Sequence, residues 1–230
     1  MAPKIALTFD DGPYTAQNAH QTLDLLDIIK DCNSSLKSIP FINAPQIKVT
    51  FFLQGQHVNS GTKSAVSRMR EEKHEVGNHS WSHEPGVIKL VPDDKKGMHG
   101  LTDEEALSSV TKTHDLISPL YPNLSLFRPP FGRIKHSQWQ KIKAKFPHYR
   151  LIGWDRSPES DKLGFKNMRE GASIVLLHDK MINKQGEVTV KNVKQFLDLT
   201  LVDIRKRDLE LVTVSEIMRA GDFMKGIYIR

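Results

Sequence analysis

Short apolar runs of strand character alternate along this chain with longer amphipathic segments, and most of the apolar runs stop on a residue able to do chemistry. Strands are expected at Ile5–Phe9, Lys48–Leu53, Glu75–Asn78, Leu124–Phe127, Tyr149–Trp154, Ser173–Leu177 and Leu209–Val214. Between them, helices are expected at Ala19–Lys30, Lys63–Lys73, Ser137–Phe146 and Val190–Arg207. Another opens at a capping box, Thr102 with Glu105, and runs to Ile117. Asp31–Pro45, rich in Asn, Ser and Pro, and Pro85–Gly100 read as loops. Such alternation predicts an α/β fold, a parallel sheet or barrel with crossover helices. Asp10/Asp11, His79, Arg128, Asp155 and His178/Asp179 all follow apolar runs. In a parallel barrel those positions are the C-terminal strand ends, where active sites of that architecture are assembled.

The 230 residues suffice for one sizeable core and are read as one domain, residues 1–230. With 38% hydrophobic and 26% charged residues, the composition suits a globular protein and argues against extensive disorder. No apolar run approaches the ~18 residues of a membrane helix. Met1-Ala2-Pro3-Lys4 leads straight into the first strand without a signal peptide's apolar region, so the chain reads as intracellular or as a trimmed secreted form. The single cysteine, Cys32, cannot form an intramolecular disulfide and reads as a loop residue without a reactive role. The net charge of +6 is spread along the chain, and no aromatic-basic interleaving indicates a nucleic acid partner. An anionic polymer remains compatible, and a monomer is expected.

Asp10 and Asp11 end the first strand, where neighbouring side chains diverge. One carboxylate can hold a cation while the other handles a proton, although Asp-Asp-Gly-Pro is also an ordinary turn sequence. His79 and His83 are spaced i, i+4, which on a helical turn places both imidazoles on one face. In a chain with ten histidines they can also be unrelated surface groups. A strand-end carboxylate would complete a His-His-Asp metal set. His178 can serve as a general acid or as a satisfied core histidine. Arg128, set between a strand and Pro129-Pro130, can orient a carboxylate or merely cap a helix.

Taken together, Thr8-Phe9-Asp10-Asp11-Gly12-Pro13, His79-Ser80-Trp81-Ser82-His83, Arg128-Pro129-Pro130-Phe131-Gly132 and Ile174-Val175-Leu176-Leu177-His178-Asp179 resemble, in order, motifs of the NodB-homology polysaccharide deacetylases, the fourth carbohydrate esterase family. The resemblance implies a distorted (β/α) barrel that removes acetyl groups from acetylated sugars. It implies that Asp11, His79 and His83 bind a divalent metal, usually Zn2+, with Co2+ or another divalent ion as alternatives. Asp10 would be the base activating a metal-bound water, with Arg128 holding Asp10. The backbone N–H of Phe131 would help bind the oxyanion, His178 would protonate the leaving amine, and Trp154 and Leu176 would line the acetyl pocket.

One motif departs from the family pattern. After Trp154-Asp155 the sequence reads Arg156-Ser157-Pro158-Glu159-Ser160-Asp161-Lys162, so Ser157 occupies the first motif Asp and the final Trp is missing. Asp161 would supply the Asp that pairs with Arg128 and His178 only across a one-residue insertion. The expected substrate is an N-acetylglucosamine-containing polysaccharide or oligosaccharide, chitin, chitooligosaccharide or peptidoglycan. An acetylxylan esterase, a small-amide amidohydrolase or a polysaccharide-binding pseudoenzyme are the competing expectations.

Overall fold

The first strand, β1 (Lys4–Asp10), is buried from Ile5 onward. The computed structural model describes residues 4–14, 21–37, 46–83, 96–157, 174–179, 193–195, 197–198, 209–218 and 223–229. Helix α1 (Gln21–Lys37) follows, then β2 (Thr50–Leu53), α2 (Lys63–Glu71) and β3 (Glu75–Asn78). Next come α3 (Asp103–Ile117), β4 (Leu126–Phe127), β5 (Arg133–Ile134), α4 (His136–Lys145) and β6 (Arg150–Leu151). The chain ends through β7 (Ile174–His178), β8 (Glu210–Leu211), α5 (Val214–Ile217) and β9 (Tyr228–Ile229).

Among the described residues, seven strands form one parallel sheet in the order β6-β4-β3-β2-β1-β7, with β8 paired to the start of β1. β5 and β9 make a separate parallel pair. Just beyond β6, Asp155 N–H donates to Ile174 C=O at 2.8 Å, and Leu176 N–H donates to Arg156 C=O at 2.8 Å. These bonds bring the far edge of the sheet round to β7. The expected distorted barrel is therefore present as a curled parallel sheet.

Side-chain alternation divides the core in two. Ile5, Leu7, Phe9, Phe51, Leu53, Val76, Phe127, Leu151, Val175 and Leu177 face outward into the larger cluster under the helices. Ala6, Phe52, Leu126, Ile152 and Ile174 face inward and form a smaller cluster inside the curl, capped by Val214. The same parity points Thr8 and Asp10 of β1, and Leu176 and His178 of β7, into the curl. At Gly77 a Cβ would lie 2.5 Å from Phe52 Cδ1, so this strand position must lack a side chain for the Phe52 ring to occupy the interior.

Three local expectations are corrected. Residues 31–37, expected as a loop, continue α1. Cys32, Asn33 and Leu36 are buried there, and Asn33 clasps Ile47, accepting from its N–H at 2.8 Å and donating to its C=O at 3.1 Å. Tertiary burial thus overrides the weak helix propensity of the Cys-Asn-Ser-Ser run. The final strand stops at Leu211, because Thr213 caps α5 in a box with Glu216. The turn joining His79 to His83 is not helical. The box at Thr102 and Glu105 does open α3. Asp161 lies outside the described residues, and of the expected helix Val190–Arg207 only 193–195 and 197–198 are described, all helical. Among the described residues, no helix is long and apolar enough to cross a membrane.

Candidate functional site

The inward-facing strand ends meet at one mouth of the curl. β1 pairs with β7 in a register that sets Asp10 beside His178. Asp10 is the last strand residue, and Asp11 then takes a left-handed backbone conformation, φ 77°. This reversal turns the two carboxylates to different partners. Asp11 is anchored on both sides of its peptide: its N–H donates to Phe52 C=O at 3.1 Å, and its own C=O accepts from His57 Nδ1 at 2.7 Å.

Asp10 meets Arg128. The guanidinium is fully buried and donates from Nη1 to Asp10 Oδ1 at 2.7 Å and to Thr8 Oγ1 at 2.7 Å. Its Nε donates to Ile152 C=O at 3.1 Å and its Nη2 to Gly153 C=O at 2.7 Å. The Phe52 ring supports it from below, with Cζ 4.0 Å from the ring centroid. A buried cation is costly unless it is paired and hydrogen-bonded, and here it is both. Burial draws the Arg128 guanidinium down from its ordinary value, while the Asp10 charge and hydrogen bond oppose that loss. Among the described residues Asp10 is its acidic partner.

Asp11 meets the histidines. His83 Nε2 is 2.9 Å and His79 Nε2 3.4 Å from Asp11 Oδ1, and the two imidazole nitrogens are 3.2 Å apart. His79 Nδ1 donates to Arg128 C=O at 2.7 Å, which orients Nε2 toward Asp11. The i, i+4 spacing converges without a helix because Ser80 adopts φ 68° and donates its N–H to Asn78 Oδ1 at 2.8 Å. One carboxylate oxygen and two imidazole nitrogens, all within 4.8 Å of one another, form a donor set of the kind that holds a divalent transition ion. These residues therefore fit the divalent metal that the resemblance implies. Burial alone would raise the Asp11 carboxyl, but hydrogen bonds and charge from His79 and His83 outweigh it and hold the group well below the usual range.

His178 Nε2 lies 4.0 Å from Asp11 Oδ2, the carboxylate oxygen other than the one that His83 approaches. Leu176 lies two residues earlier on the same face of β7. Phe131, at φ 57° in the turn Pro130–Gly132, is 39% exposed, with its ring 4.3 Å from that of His83. Trp154 packs against two glycines: a Cβ at Gly132 would lie 2.8 Å from its Cη2, and one at Gly226 2.9 Å from its Cδ2. Asp179 is wholly buried behind the Asp-Asp-Gly-Pro turn and accepts from Thr22 Oγ1 at 2.5 Å. Burial pushes Asp179 up to about 7, and the Asp11 charge adds to this against the Thr22 bond and His178.

The structure thus brings Asp10, Asp11, His79, His83, Arg128 and His178 into one cluster, with Leu176 on its strand face and Phe131 against His83. Asp161 is outside the described residues. Sequence reasoning missed three contributors. Thr8 shares the inward face of β1 with Asp10, a period-two signal that was available. Asn78 organises the histidine turn, and Gln54, directly after β2, donates to Asp11 Oδ1 at 2.7 Å. Both follow the pattern of polar residues at strand ends, but neither is of a type that draws attention as an acid, base or ligand.

Residues 1–145 match the family profile described as Polysaccharide deacetylase. A bifunctional xylanase/deacetylase of Pseudobutyrivibrio xylanivorans is 28% identical over 226 residues, covering 97% of this chain and 31% of that protein. The peptidoglycan-N-acetylglucosamine deacetylase PgdA of Listeria monocytogenes is 28% identical over 222 residues, covering 93% of this chain and 38% of that protein. The chain therefore spans well under half the length of these relatives. The Xyl-CE4 domain of a multidomain xylanase from the hindgut metagenome of Trinervitermes trinervoides superposes with a TM-score of 0.69 at 26% identity, covering 95% of this chain and 91% of that one. The peptidoglycan deacetylase PdaC of Bacillus subtilis gives a TM-score of 0.67 at 26% identity, covering 94% and 90%.

Proposed function

Because this chain belongs to the polysaccharide deacetylase family, we propose that it is a metal-dependent hydrolase removing N-acetyl groups from N-acetylglucosamine-containing polysaccharide or oligosaccharide. The observation that carries this reading is the division of labour between adjacent carboxylates: Asp10 is held by Arg128, and Asp11 faces His79 and His83. Asp11, His79 and His83 would hold a divalent cation, Zn2+ by preference, which would supply Lewis acidity to the acetyl carbonyl and to the attacking water. Asp10 accepts a proton from that water, and Arg128 fixes the carboxylate in its anionic, oriented form. His178, beside Asp10 in the strand register, donates a proton to the departing nitrogen. An amide needs such an acid, because an unprotonated amine is a poor leaving group. The main-chain N–H of Phe131 stabilises the oxyanion, and Trp154 and Leu176 shape the acetyl pocket.

Three roles met in one cluster, an oriented base, a metal donor set and a neighbouring acid, favour turnover over passive glycan binding. The activity is tested by acetate release from chitooligosaccharides, peptidoglycan fragments and acetylxylan, before and after chelation and with Zn2+ or Co2+ restored. Release from the N-acetylated substrates that vanishes on chelation and returns with metal supports the reading. Full activity after complete metal removal, or release from acetylxylan alone, contradicts it.

A further inference from the structure

We propose that Gln54 and Gln56 form a polar relay that positions Asp11 and thereby sets the affinity of the site for a divalent cation. The inference rests on reading Asp11, His79 and His83 as the metal ligands. Gln54 is 3% exposed and follows β2 directly. Its main-chain N–H donates to Gly12 C=O at 2.9 Å, which fixes the residue against the Asp-Asp-Gly turn. Its side-chain Nε2 donates to Asp11 Oδ1 at 2.7 Å, and its Oε1 accepts from Gln56 Nε2 at 2.7 Å.

The direction of this relay follows from charge. An ionised carboxylate is acceptor-only, so Gln54 must turn its NH2 toward Asp11 and its carbonyl away. That carbonyl is buried and needs a donor, which the Gln56 amide provides. Asp11 Oδ1 is also the oxygen nearest both imidazole nitrogens, at 2.9 Å from His83 and 3.4 Å from His79. A carboxylate oxygen has two lone-pair positions. Gln54 occupies one and directs the other toward the histidines, while His57 and Phe52 hold the Asp11 backbone. Asp11 Oδ1 is thereby held by the protein's own hydrogen bonds in the orientation of a ligand oxygen. Outer hydrogen-bond partners of this kind typically contribute about 10–100-fold to metal affinity.

Co2+ titrations of metal-free wild type, Gln54→Leu and Gln56→Ala, read by calorimetry and by the visible absorption of the bound ion, test the relay without reference to turnover. Gln54→Leu keeps the side chain's bulk but removes its donor, and a loss of about 10–100-fold in affinity is expected. Gln56 is exposed, so Gln56→Ala is expected to leave the metal-free melting temperature unchanged while weakening Co2+ by a smaller factor and altering its absorption. This second variant decides the question if Gln54→Leu does not fold. Wild-type affinity in both variants, or tighter binding in Gln54→Leu, overturns the relay while leaving the metal site intact. A wild type that binds no divalent ion overturns the reading of the site itself.

Discussion

Arg128 Nη1 lies 2.7 Å from Asp10 Oδ1, and both side chains are buried within the curl of the sheet. The proposed base is thus held by an interior cation that also spans two main-chain carbonyls beyond β6. Removing one member of a buried pair leaves the other charge uncompensated. Arg128→Met is expected to lower stability by about 3–5 kcal/mol in denaturant unfolding and to abolish acetate release. The double variant Arg128→Met/Asp10→Asn should be less destabilised than the sum of the single changes. Strict additivity would show that the two side chains do not act as a pair.

Phe52 forms the floor under Arg128, and Gly77 leaves room for its ring. Gly77→Ala is expected to displace the ring, cost about 1–3 kcal/mol as overpacking, and lower turnover through the shifted Arg128. Phe52→Leu, which relieves the crowding, should restore part of the stability when combined with Gly77→Ala. No rescue would place the clash elsewhere.

The buried Asp179 gives the metal-free protein a pH dependence of defined sign. Its carboxyl is raised to about 7 by burial, above the ~3.9 of an unfolded Asp. Between those values the unfolded chain releases a proton that the folded chain retains, so this group's contribution to stability falls as pH rises from ~4 to ~7. Asp11, held low chiefly by His79 and His83 against its burial, acts in the opposite sense, and its contribution is lost only as pH falls below the usual carboxylate range. Melting curves of chelated Asp179→Asn should match wild type near pH 4 and lie above it at pH 8. A wild type more stable than Asp179→Asn at pH 8 would contradict the assignment.

Far from the site, Asn33 ties α1 to the segment preceding β2 through two hydrogen bonds with Ile47. Asn33→Leu leaves the Ile47 N–H and C=O without these partners and is expected to destabilise by about 1–3 kcal/mol, with acetate release per folded molecule unchanged. A change in that specific activity would show that α1 is coupled to the site.

Alternation of strands and helices was legible in the sequence because apolar runs and amphipathic periods reflect burial directly. The strand-end positions of Asp10, Asp11, His79, Arg128 and His178 followed from the same pattern. Residues 31–37 were not legible, because Asn33 and Ser34 favour loops locally, and the burial of Cys32 and Leu36 with the Asn33–Ile47 bonds reverses that preference. The shape of the His79–His83 turn was hidden for a similar reason: i, i+4 spacing suits a helix, whereas Ser80 at φ 68° and the Asn78 side chain make a loop that converges equally well. The support that Gln54 gives Asp11 depends on the pairing of β1 with β2, a relation between segments that no local pattern encodes.

The central claim is that adjacent carboxylates have separate tasks, Asp11 holding the metal and Asp10 moving the proton. Bound metal per protein and acetate released from chitooligosaccharide, measured together on wild type, Asp10→Asn and Asp11→Asn, test it most directly. Asp10→Asn is expected to keep the metal and lose turnover by about 100-fold or more, whereas Asp11→Asn should lose the metal itself. Equal loss of metal from both variants, or turnover retained in Asp10→Asn, would contradict the claim.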